Sequence, residues 1–441
     1  MDDLLFARLQ MGLSLAFHIV FAAIGMGMPV LMALAEWRWL RTGDGVYREL
    51  AKRWAKGTAV FFAVGAVSGT VLSFELGLLW PGFMEHAGGI IGMPFGLEGF
   101  AFFTEAIFLG IYLYAWDRIG KWAHWWSGVV VAVSGSMSAV FIIMVNGWMN
   151  APRGFDYDAA TGEFSNIDPV AAMFNANWGH QAVHMVFAAW AAVGFGVAGV
   201  HALRMLRGHD SVFHRRALAI AMTVAIPSSL AMPITGDIAA SRVAKTQPAK
   251  LAAMEGHFET QTRAPLVIGG IPFEKERETK WAIRIPGMLS FLAFKDIDAE
   301  VTGLDAFPED EWPPVAITHI AFQLMVACGL AMVFVSLWFL VDVWRRKGLA
   351  PRKWLLRGIV FCAPLGFLAI EFGWTVTEVG RQPWVIYEVM RTSESVTPMP
   401  GLVAPFATFT LLYIVLAVIV TAIMVRIVRG SDERGEEAAR A

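Results

Sequence analysis

Long apolar runs, separated by short polar connections, dominate the hydrophobic pattern of this 441-residue chain. A helix that crosses a bilayer needs about 20 mostly apolar residues. Nine segments reach this length, at approximately 11–36, 55–80, 93–116, 125–148, 180–205, 216–236, 318–343, 354–378 and 404–428. The pattern therefore predicts an all-α, polytopic membrane protein with nine transmembrane helices.

The basic residues in the connections predict the orientation, because short cytoplasmic loops are rich in Lys and Arg. The first, third, fifth and seventh connections carry these residues, whereas the second has none and the fourth has only Arg153. We expect the N-terminus outside and the C-terminus in the cytoplasm. The predicted parts are helices one to six in 1–236, an external loop in 237–317, helices seven to nine in 318–430 and a cytoplasmic tail in 431–441.

Composition agrees with a protein surrounded by lipid. Hydrophobic residues make up 56% of the chain and charged residues 16%, against about 25% charged residues in soluble domains. The net charge of −2 gives no indication of a nucleic-acid partner. The two cysteines, Cys328 and Cys362, lie in apolar segments and are interpreted as small buried side chains.

Four side chains that can bind iron lie in four different apolar segments at similar predicted depth. His18 is about 10 Å from the outer face, His184 about one turn from it and Met325 about two turns from it, while Glu378 ends its helix there. Ionisable groups inside a bilayer are costly and mark function. Taken singly, each has a simpler interpretation, such as helix packing or an ion pair of Glu378 with Arg381. Their convergence favours haem iron, with His184 and Met325 as a natural low-spin pair.

Two glutamates on the third predicted helix favour a proton path. Glu98 and Glu105 are seven residues apart, so they share one helix face at a separation of about 10 Å. Ser138 on the fourth helix could continue the path, although a membrane serine usually bonds its own backbone. The alternative for the glutamates is structural pairing with a basic residue such as Arg8.

Several motifs resemble one known family along nearly the whole chain. The most specific is GWTVTEVGRQPW at 373–384. The others are RLQ at 8–10, LEGFAFFTEA at 97–106, GSMSA at 135–139, NGWMNAP at 146–152, QPAKLAAMEG at 247–256 and FQLMVACG at 322–329. On these residues the chain resembles subunit I of the cytochrome bd quinol:oxygen oxidases.

The resemblance implies three haems. His184 and Met325 would be axial ligands of a low-spin haem b. His18 and Glu378 would be ligands of two high-spin haems, one haem b and one haem d (or a further haem b), with the position of haem d left open. The remaining implied site residues are Glu98 beside the His18 haem, Glu105 and Ser138 in the proton path, Arg8, Trp374 and Arg381 near the haems, and Lys250 and Glu255 in quinol oxidation.

The implied activity is that of a terminal oxidase in a prokaryotic plasma (inner) membrane. Quinol would be oxidised outside and O2 reduced to water with protons from inside, which generates membrane potential. The implied partners are a second large membrane subunit and possibly a small single-helix subunit. The external loop resembles the short-loop branch, and Gln323 stands where some members have arginine. The choice between ubiquinol and menaquinol, the oxygen affinity and the cyanide sensitivity stay open.

Two other functions remain possible at the level of sequence. One is a bd-like oxidase with a different donor or haem content. The other, from a different class, is a proton-coupled transporter that uses the intramembrane carboxylates. A reduced-minus-oxidised absorption spectrum separates them, because a transporter would be colourless.

Overall fold

The computed structural model describes residues 3–158, 160, 162–346 and 352–440, with side chains described up to residue 430. The helices are α1 (Asp3–Thr42), α2 (Gly45–Leu79), α3 (Pro81–Tyr114), α4 (Lys121–Asn150), α5 (Pro169–Met173), α6 (Trp178–Leu206), α7 (Val212–Thr246), α8 (Pro248–Glu255), α9 (Met288–Phe294), α10 (Val315–Arg346), α11 (Lys353–Cys362), α12 (Leu365–Val379), α13 (Thr392–Ser395) and α14 (Val403–Arg440). Within this described part, nine helical segments are long and apolar enough to cross a membrane, with α11 and α12 forming one of them. The prediction of nine spanning segments is confirmed.

Small antiparallel sheets lie between the spanning segments, which an all-α prediction leaves out. The strands are β1 (Asp156–Asp158), β2 (Glu163–Ser165), β3 (Gln261–Thr262), β4 (Leu266–Phe273), β5 (Glu278–Ile285), β6 (Glu300–Val301), β7 (Trp384–Ile386) and β8 (Met390–Arg391). They pair as β1–β2, β3–β6, β4–β5 and β7–β8. The longest hairpin, β4–β5, pairs Leu266 with Ile285 and Phe273 with Glu278. The long connection is thus a folded unit.

The long connection begins later than the sequence predicts, because α7 continues past residue 236 to Thr246. Its last turns contain Ala, Arg and Lys, which favour helix. Gln247 precedes Pro248, and a residue before proline is driven out of the helical region. Gln247 accordingly has φ −147° and ψ 68°, outside the helical region. Pro248 then opens α8 at its first turn, where its missing N–H costs nothing.

The eighth spanning segment is broken in two. Helix α11 ends at Cys362 and α12 begins at Leu365, with Pro364 between them. Proline has no N–H to donate to the carbonyl one turn before it, so it interrupts the helical hydrogen bonds there. Helix α6 packs closely over the break. A Cβ added to Gly199 would lie 2.4 Å from the Cβ of Ala363, and one added to Gly366 would lie 2.4 Å from the Cα of Ala192. Glycine at both positions allows this contact.

Eight of the spanning segments form two four-helix rings. In the first ring, α1 packs on α2, α2 on α3, α3 on α4 and α4 on α1. In the second ring, α6 packs on α7, α7 on α10, α10 on α12 and α12 on α6. Helix α6 also contacts α1 and α4, which joins the rings. Residues 247–314 cover one end of the second ring, called the loop end below. Residues 347–351 of the seventh connection lie outside the described residues, and the orientation in a membrane stays a prediction.

Candidate functional site

The second ring holds His184 and Met325 on diagonally placed helices. His184 is on α6 and Met325 on α10, and both helices pack against α7 and α12. His184 lies about 9 Å and Met325 about 15 Å from the loop end of its helix, counting 1.5 Å per residue. Two groups that approach from opposite corners of a ring can bind opposite faces of one flat ligand.

Hydrogen bonding prepares His184 to bind a metal. Its Nδ1 lies 2.9 Å from the Thr235 hydroxyl on α7, which leaves Nε2 to face a ligand; such outer partners orient metal-binding histidines. Glycines lie beside the imidazole of His184 and beside the thioether of Met325. A Cβ added to Gly236 would lie 3.7 Å from Cε1 of His184, and one added to Gly373 would lie 3.1 Å from Sδ of Met325.

The first ring repeats this arrangement around His18. The Nδ1 of His18 lies 2.9 Å from the Ser68 hydroxyl on α2, so Nε2 is again the free nitrogen. Across the ring, Ser138 on α4 donates a hydrogen bond of 2.9 Å to Glu98 on α3. Ser138 thus bonds a carboxylate of α3, and its place in a proton path stays a prediction. Glu98 comes from the helix diagonal to that of His18.

Glu105 lies deeper in the first ring, on the side away from the loop end. It is buried, with 5% of its surface exposed. Two glycines give its carboxyl room: a Cβ on Gly135 of α4 would lie 3.1 Å from it, and one on Gly25 of α1 would lie 3.7 Å from it. The two glutamates of α3 thus face the inside of the ring.

Glu378 lies where α12 of the second ring approaches α4 of the first. Its Oε2 accepts a hydrogen bond of 2.6 Å from Arg381, which is the ion pair considered at the level of sequence. Its Oε1 accepts one from Nδ2 of Asn146 on α4. Arg381 is buried, and its Nη1 has no hydrogen-bond partner among the described residues. A further anion beside Glu378 would satisfy that donor.

The loop residues Lys250 and Glu255 are both buried on α8. Lys250 donates to Oδ1 of Asn150 at 2.5 Å and to the Thr377 carbonyl at 3.1 Å. Burial, followed by the nearby Arg381, lowers the pKa of Lys250, and Glu378 opposes this shift. Burial raises the pKa of Glu255 to about 8, and its Oε2 has no hydrogen-bond partner in the described part of the chain.

An open cavity lies beside Lys250. Its empty space of about 310 Å³ includes open solvent, so it is a recess in the surface and not an enclosed chamber. It is lined by residues of the loop, of the end of α12 and of the β7–β8 hairpin, namely Ala249, Lys250, Phe307, Glu311, Pro313, Gly380, Arg381, Gln382, Trp384, Tyr387 and Glu388. A small amphipathic molecule could reach Lys250 and Arg381 from it.

Comparison with known proteins agrees with this geometry. The family model described as cytochrome bd terminal oxidase subunit I matches residues 6–432. The chain belongs to this family. It is 40% identical to the "Putative cytochrome bd menaquinol oxidase subunit I" of Bacillus subtilis over 96% of both chains. It is 29% identical to the "Cytochrome bd-II ubiquinol oxidase subunit 1" of Escherichia coli over 88% of both. The bd oxidase structure from Geobacillus thermodenitrificans superposes with a TM-score of 0.91 at 41% identity, covering 97% of this chain and 98% of that one.

Membership fixes the general character of the protein. It is a multi-pass protein of the bacterial plasma membrane and a subunit of a terminal quinol oxidase, and it works in a complex with a second subunit. The family carries haem. The transporter alternative is therefore set aside.

The residues present fit a haem-binding cytochrome bd subunit. Among the described residues, no three His, Cys, Asp or Glu side chains are grouped so that they could hold a metal ion by themselves. Sites with one or two protein ligands instead suit iron whose other ligands come from a macrocycle. The free Nε2 atoms, the small neighbours of the ligands and the unpartnered Arg381 Nη1 agree with this.

The contacts of the remaining residues singled out from the sequence do not by themselves point to a functional role. Arg8 is exposed on α1. Trp374 packs between α1 and α6, beside Ile19 and Ala189. Gln323, where some members have arginine, joins α10 to β4 by donating to the Val267 carbonyl and accepting from the Gly269 amide, both at 3.0 Å. In this chain it fastens the hairpin to the helix.

Sequence reasoning missed several polar partners. Asn146 and Asn150 lie four residues apart at the end of α4, within the motif NGWMNAP. This spacing in an apolar helix indicates that both side chains lie on one helix face. Ser68 and Thr235 carried no such signal, since membrane hydroxyls usually bond their own helix. A further buried carboxylate was also missed: Glu75 accepts hydrogen bonds of 2.9 Å from Gln10 and from Ser14.

Proposed function

We propose that this chain is the haem-bearing subunit that oxidises quinol at the loop end and reduces O2 to water. One observation carries the proposal. Lys250, in the loop, is hydrogen-bonded between Asn150 and the Thr377 carbonyl, next to Glu378. The quinol loop is thereby attached directly to α12, which carries the candidate ligand Glu378, and to the end of α4 beside it.

We assign His184 and Met325 to a low-spin haem b, and His18 and Glu378 to two high-spin haems. One of these is haem b and the other haem d or a further haem b. Bound haem supplies the iron that takes up electrons and reduces O2. The protein contributes the ligands, their spacing and access for protons. Ser68 and Thr235 fix the ring orientation of the two histidines.

We assign proton transfer to two groups of carboxylates, one at the loop end and one inside the first ring. Glu255, with Lys250, would bind quinol and accept its proton near the cavity. Glu105, followed by Glu98 and Ser138, would carry protons from the opposite end towards the His18 site. If the loop end faces outside, protons are released outside and consumed from inside, so turnover generates membrane potential. A second large membrane subunit and a small single-helix subunit would complete the complex.

We also place the chain in the short-loop branch of the family. The alignment with the Escherichia coli relative runs over 458 residues but covers 88% of this 441-residue chain, which is about 388 residues. An alignment longer than the part of this chain that it covers is expected if the Escherichia coli protein has an insertion that this chain lacks.

A spectrum tests the proposal directly. The complex, purified with its partner subunit, should show low-spin and high-spin haem bands when dithionite reduces it. Anaerobic menaquinol or ubiquinol analogues should produce the same bands, and oxygen should remove them. Haem bands that neither quinol can reduce would support a different donor. A colourless folded complex would overturn the proposal.

The acid–base role of Glu255 predicts a pH dependence. Its pKa is raised to about 8, so below that pH the residue is mainly protonated and cannot accept a proton. Quinol oxidation should therefore rise with pH up to about 8. Glu255→Gln should slow turnover by about 100-fold, abolish this rise and leave haem content unchanged.

The pH dependence of the free energy of unfolding tests the raised pKa of Glu255 independently of activity. A raised pKa means that the folded protein binds the proton more tightly than the unfolded chain, so Glu255 lowers stability as pH rises from about 4.5 towards about 8. Glu255→Gln should remove this part of the slope. Glu259→Gln, at an exposed position of the same loop, is the matched control. Full activity with an unaltered pH profile in Glu255→Gln would rule out the assigned role.

A further inference from the structure

A chain of hydrogen bonds runs from the quinol loop to Glu378. Lys250 donates to Oδ1 of Asn150 at 2.5 Å. Nδ2 of Asn150 donates to the carbonyl of Asn146 at 2.8 Å and to its Oδ1 at 3.1 Å. Nδ2 of Asn146 then donates to Oε1 of Glu378. Two asparagines one helical turn apart thus connect the lysine to the carboxylate.

All the donors in this chain point the same way. The lysine can only donate, so each amide presents its oxygen towards Lys250 and its NH2 group towards Glu378. The carboxylate can only accept, which fixes the far end. If Lys250 loses its donor, the direction of the first amide is no longer set, and the donor to Glu378 is no longer held in place.

The three donor residues of this chain are buried. Asn150 is fully buried and Lys250 is 4% exposed. Hydrogen bonds in such surroundings polarise one another and are stronger than in water. Arg381 holds the other oxygen of Glu378 at 2.6 Å, so both carboxylate oxygens have fixed donors. By hydrogen bonds, Lys250 therefore reaches Glu378 at Oε1 through the asparagines, and it also holds the Thr377 carbonyl next to that residue.

We propose that Asn150 and Asn146 are positioning residues that couple Lys250 of the quinol loop to the carboxylate of Glu378. The inference rests on the proposed function, in which Glu378 binds haem iron and Lys250 belongs to the quinol site. A hydrogen bond to a ligand carboxylate reduces its electron donation to the metal. The quinol loop would thereby influence the redox potential of a haem bound by Glu378.

The test is a redox titration of the assembled holoenzyme. Lys250→Met and Asn150→Leu should each lower the midpoint potential of the Glu378 haem, because a carboxylate that has lost a hydrogen bond stabilises ferric iron. The expected shift is about tenfold in the ferric/ferrous ratio, or about 59 mV for one electron. The double variant should shift no further than either single variant, since both break the same chain. Lys250→Arg keeps a donor and should restore the potential.

Two controls keep the result specific. Asn175 is also buried and donates to a carbonyl of α4, that of Met144, at 3.0 Å, but it lies outside the chain. Asn175→Ala should leave the potential unchanged. Where Asn150→Leu does not assemble, Asn150→Ser should give the same downward shift, because a serine hydroxyl can bond the carbonyl of its own helix but is too short to bridge Lys250 and Oδ1 of Asn146.

The outcomes separate this inference from the proposed function. Glu378→Ala should first identify the haem by its loss. If all haems remain in that variant, the ligand assignment in the proposed function is wrong. If the haem is lost but Lys250→Met and Asn150→Ser leave its potential unchanged, or the two shifts add in the double variant, the coupling is disproved and the ligand assignment stands.

Discussion

Replacing Met325 with leucine should remove the low-spin optical band of the oxidase while both high-spin haems remain. Leucine has nearly the same volume, and such exchanges usually cost less than about 1.5 kcal/mol in a core. It has no sulfur lone pair, so the iron held by His184 would become five-coordinate. Quinol oxidation should fall by at least about tenfold, because the first acceptor would be altered.

Low-temperature absorption spectra and electron paramagnetic resonance of the assembled variant measure this change. Met332→Leu is the matched control, since Met332 is buried on the same helix, two turns deeper. It should keep the low-spin band and nearly full activity. A low-spin band of normal position and size in folded Met325→Leu would exclude Met325 as a ligand.

The glycine beside Met325 explains how a methionine side chain fits at this position of α10. A Cβ added to Gly373 would lie 3.1 Å from Sδ of Met325. Any larger residue at position 373 of α12 would therefore push the thioether aside. Gly373 belongs to the motif GWTVTEVGRQPW, which also carries Glu378 and Arg381. One short segment of α12 thus makes room for one candidate ligand, Met325, and supplies another, Glu378.

The spanning helices could be predicted from the sequence because their signal is local. About 20 apolar residues in a row have few other solutions in a bilayer. The break at Pro364 and the extension of α7 to Thr246 were missed for a physical reason. Hydropathy reports which residues prefer lipid, whereas helix ends depend on proline geometry and on the propensity of polar residues.

The candidate ligands could be predicted because an ionisable side chain in an apolar run is conspicuous. Their partners could not, since the residues that orient them are distant in sequence: Ser68 is 50 residues from His18, and Thr235 is 51 from His184. The hydrogen bond from Asn146 to Glu378 spans 232 residues. Only the packing of the rings brings such pairs together, and no periodicity in the sequence encodes it.

Glu378 lies at the contact between the two rings. It belongs to α12 of the second ring but is held by Asn146 on α4 of the first. A haem bound by Glu378 would therefore lie at the junction of the two rings. Under the proposed function, electrons would reach it from the loop end and protons through the first ring.

Glu105→Gln should slow the proton-coupled steps of O2 reduction by about 100-fold, with little effect on electron entry from quinol. Glutamine has the same shape, so the packing of the carboxyl against Gly25 and Gly135 would persist. It cannot gain and lose a proton as a relay requires. Gly135→Ala, which places a methyl 3.1 Å from that carboxyl, should slow the same steps to a smaller extent by displacing it.

Flow-flash kinetics with a pH indicator measure both oxidation of the haems by O2 and the accompanying proton uptake. Glu85→Gln, an exposed position on the first turns of the same helix, is the control and should react at the normal rate. Haem oxidation and proton uptake at the normal rate in Glu105→Gln would mean that protons reach the site by another route. Glu105 would then be a packing residue of the first ring, and Gly135→Ala should act on stability alone.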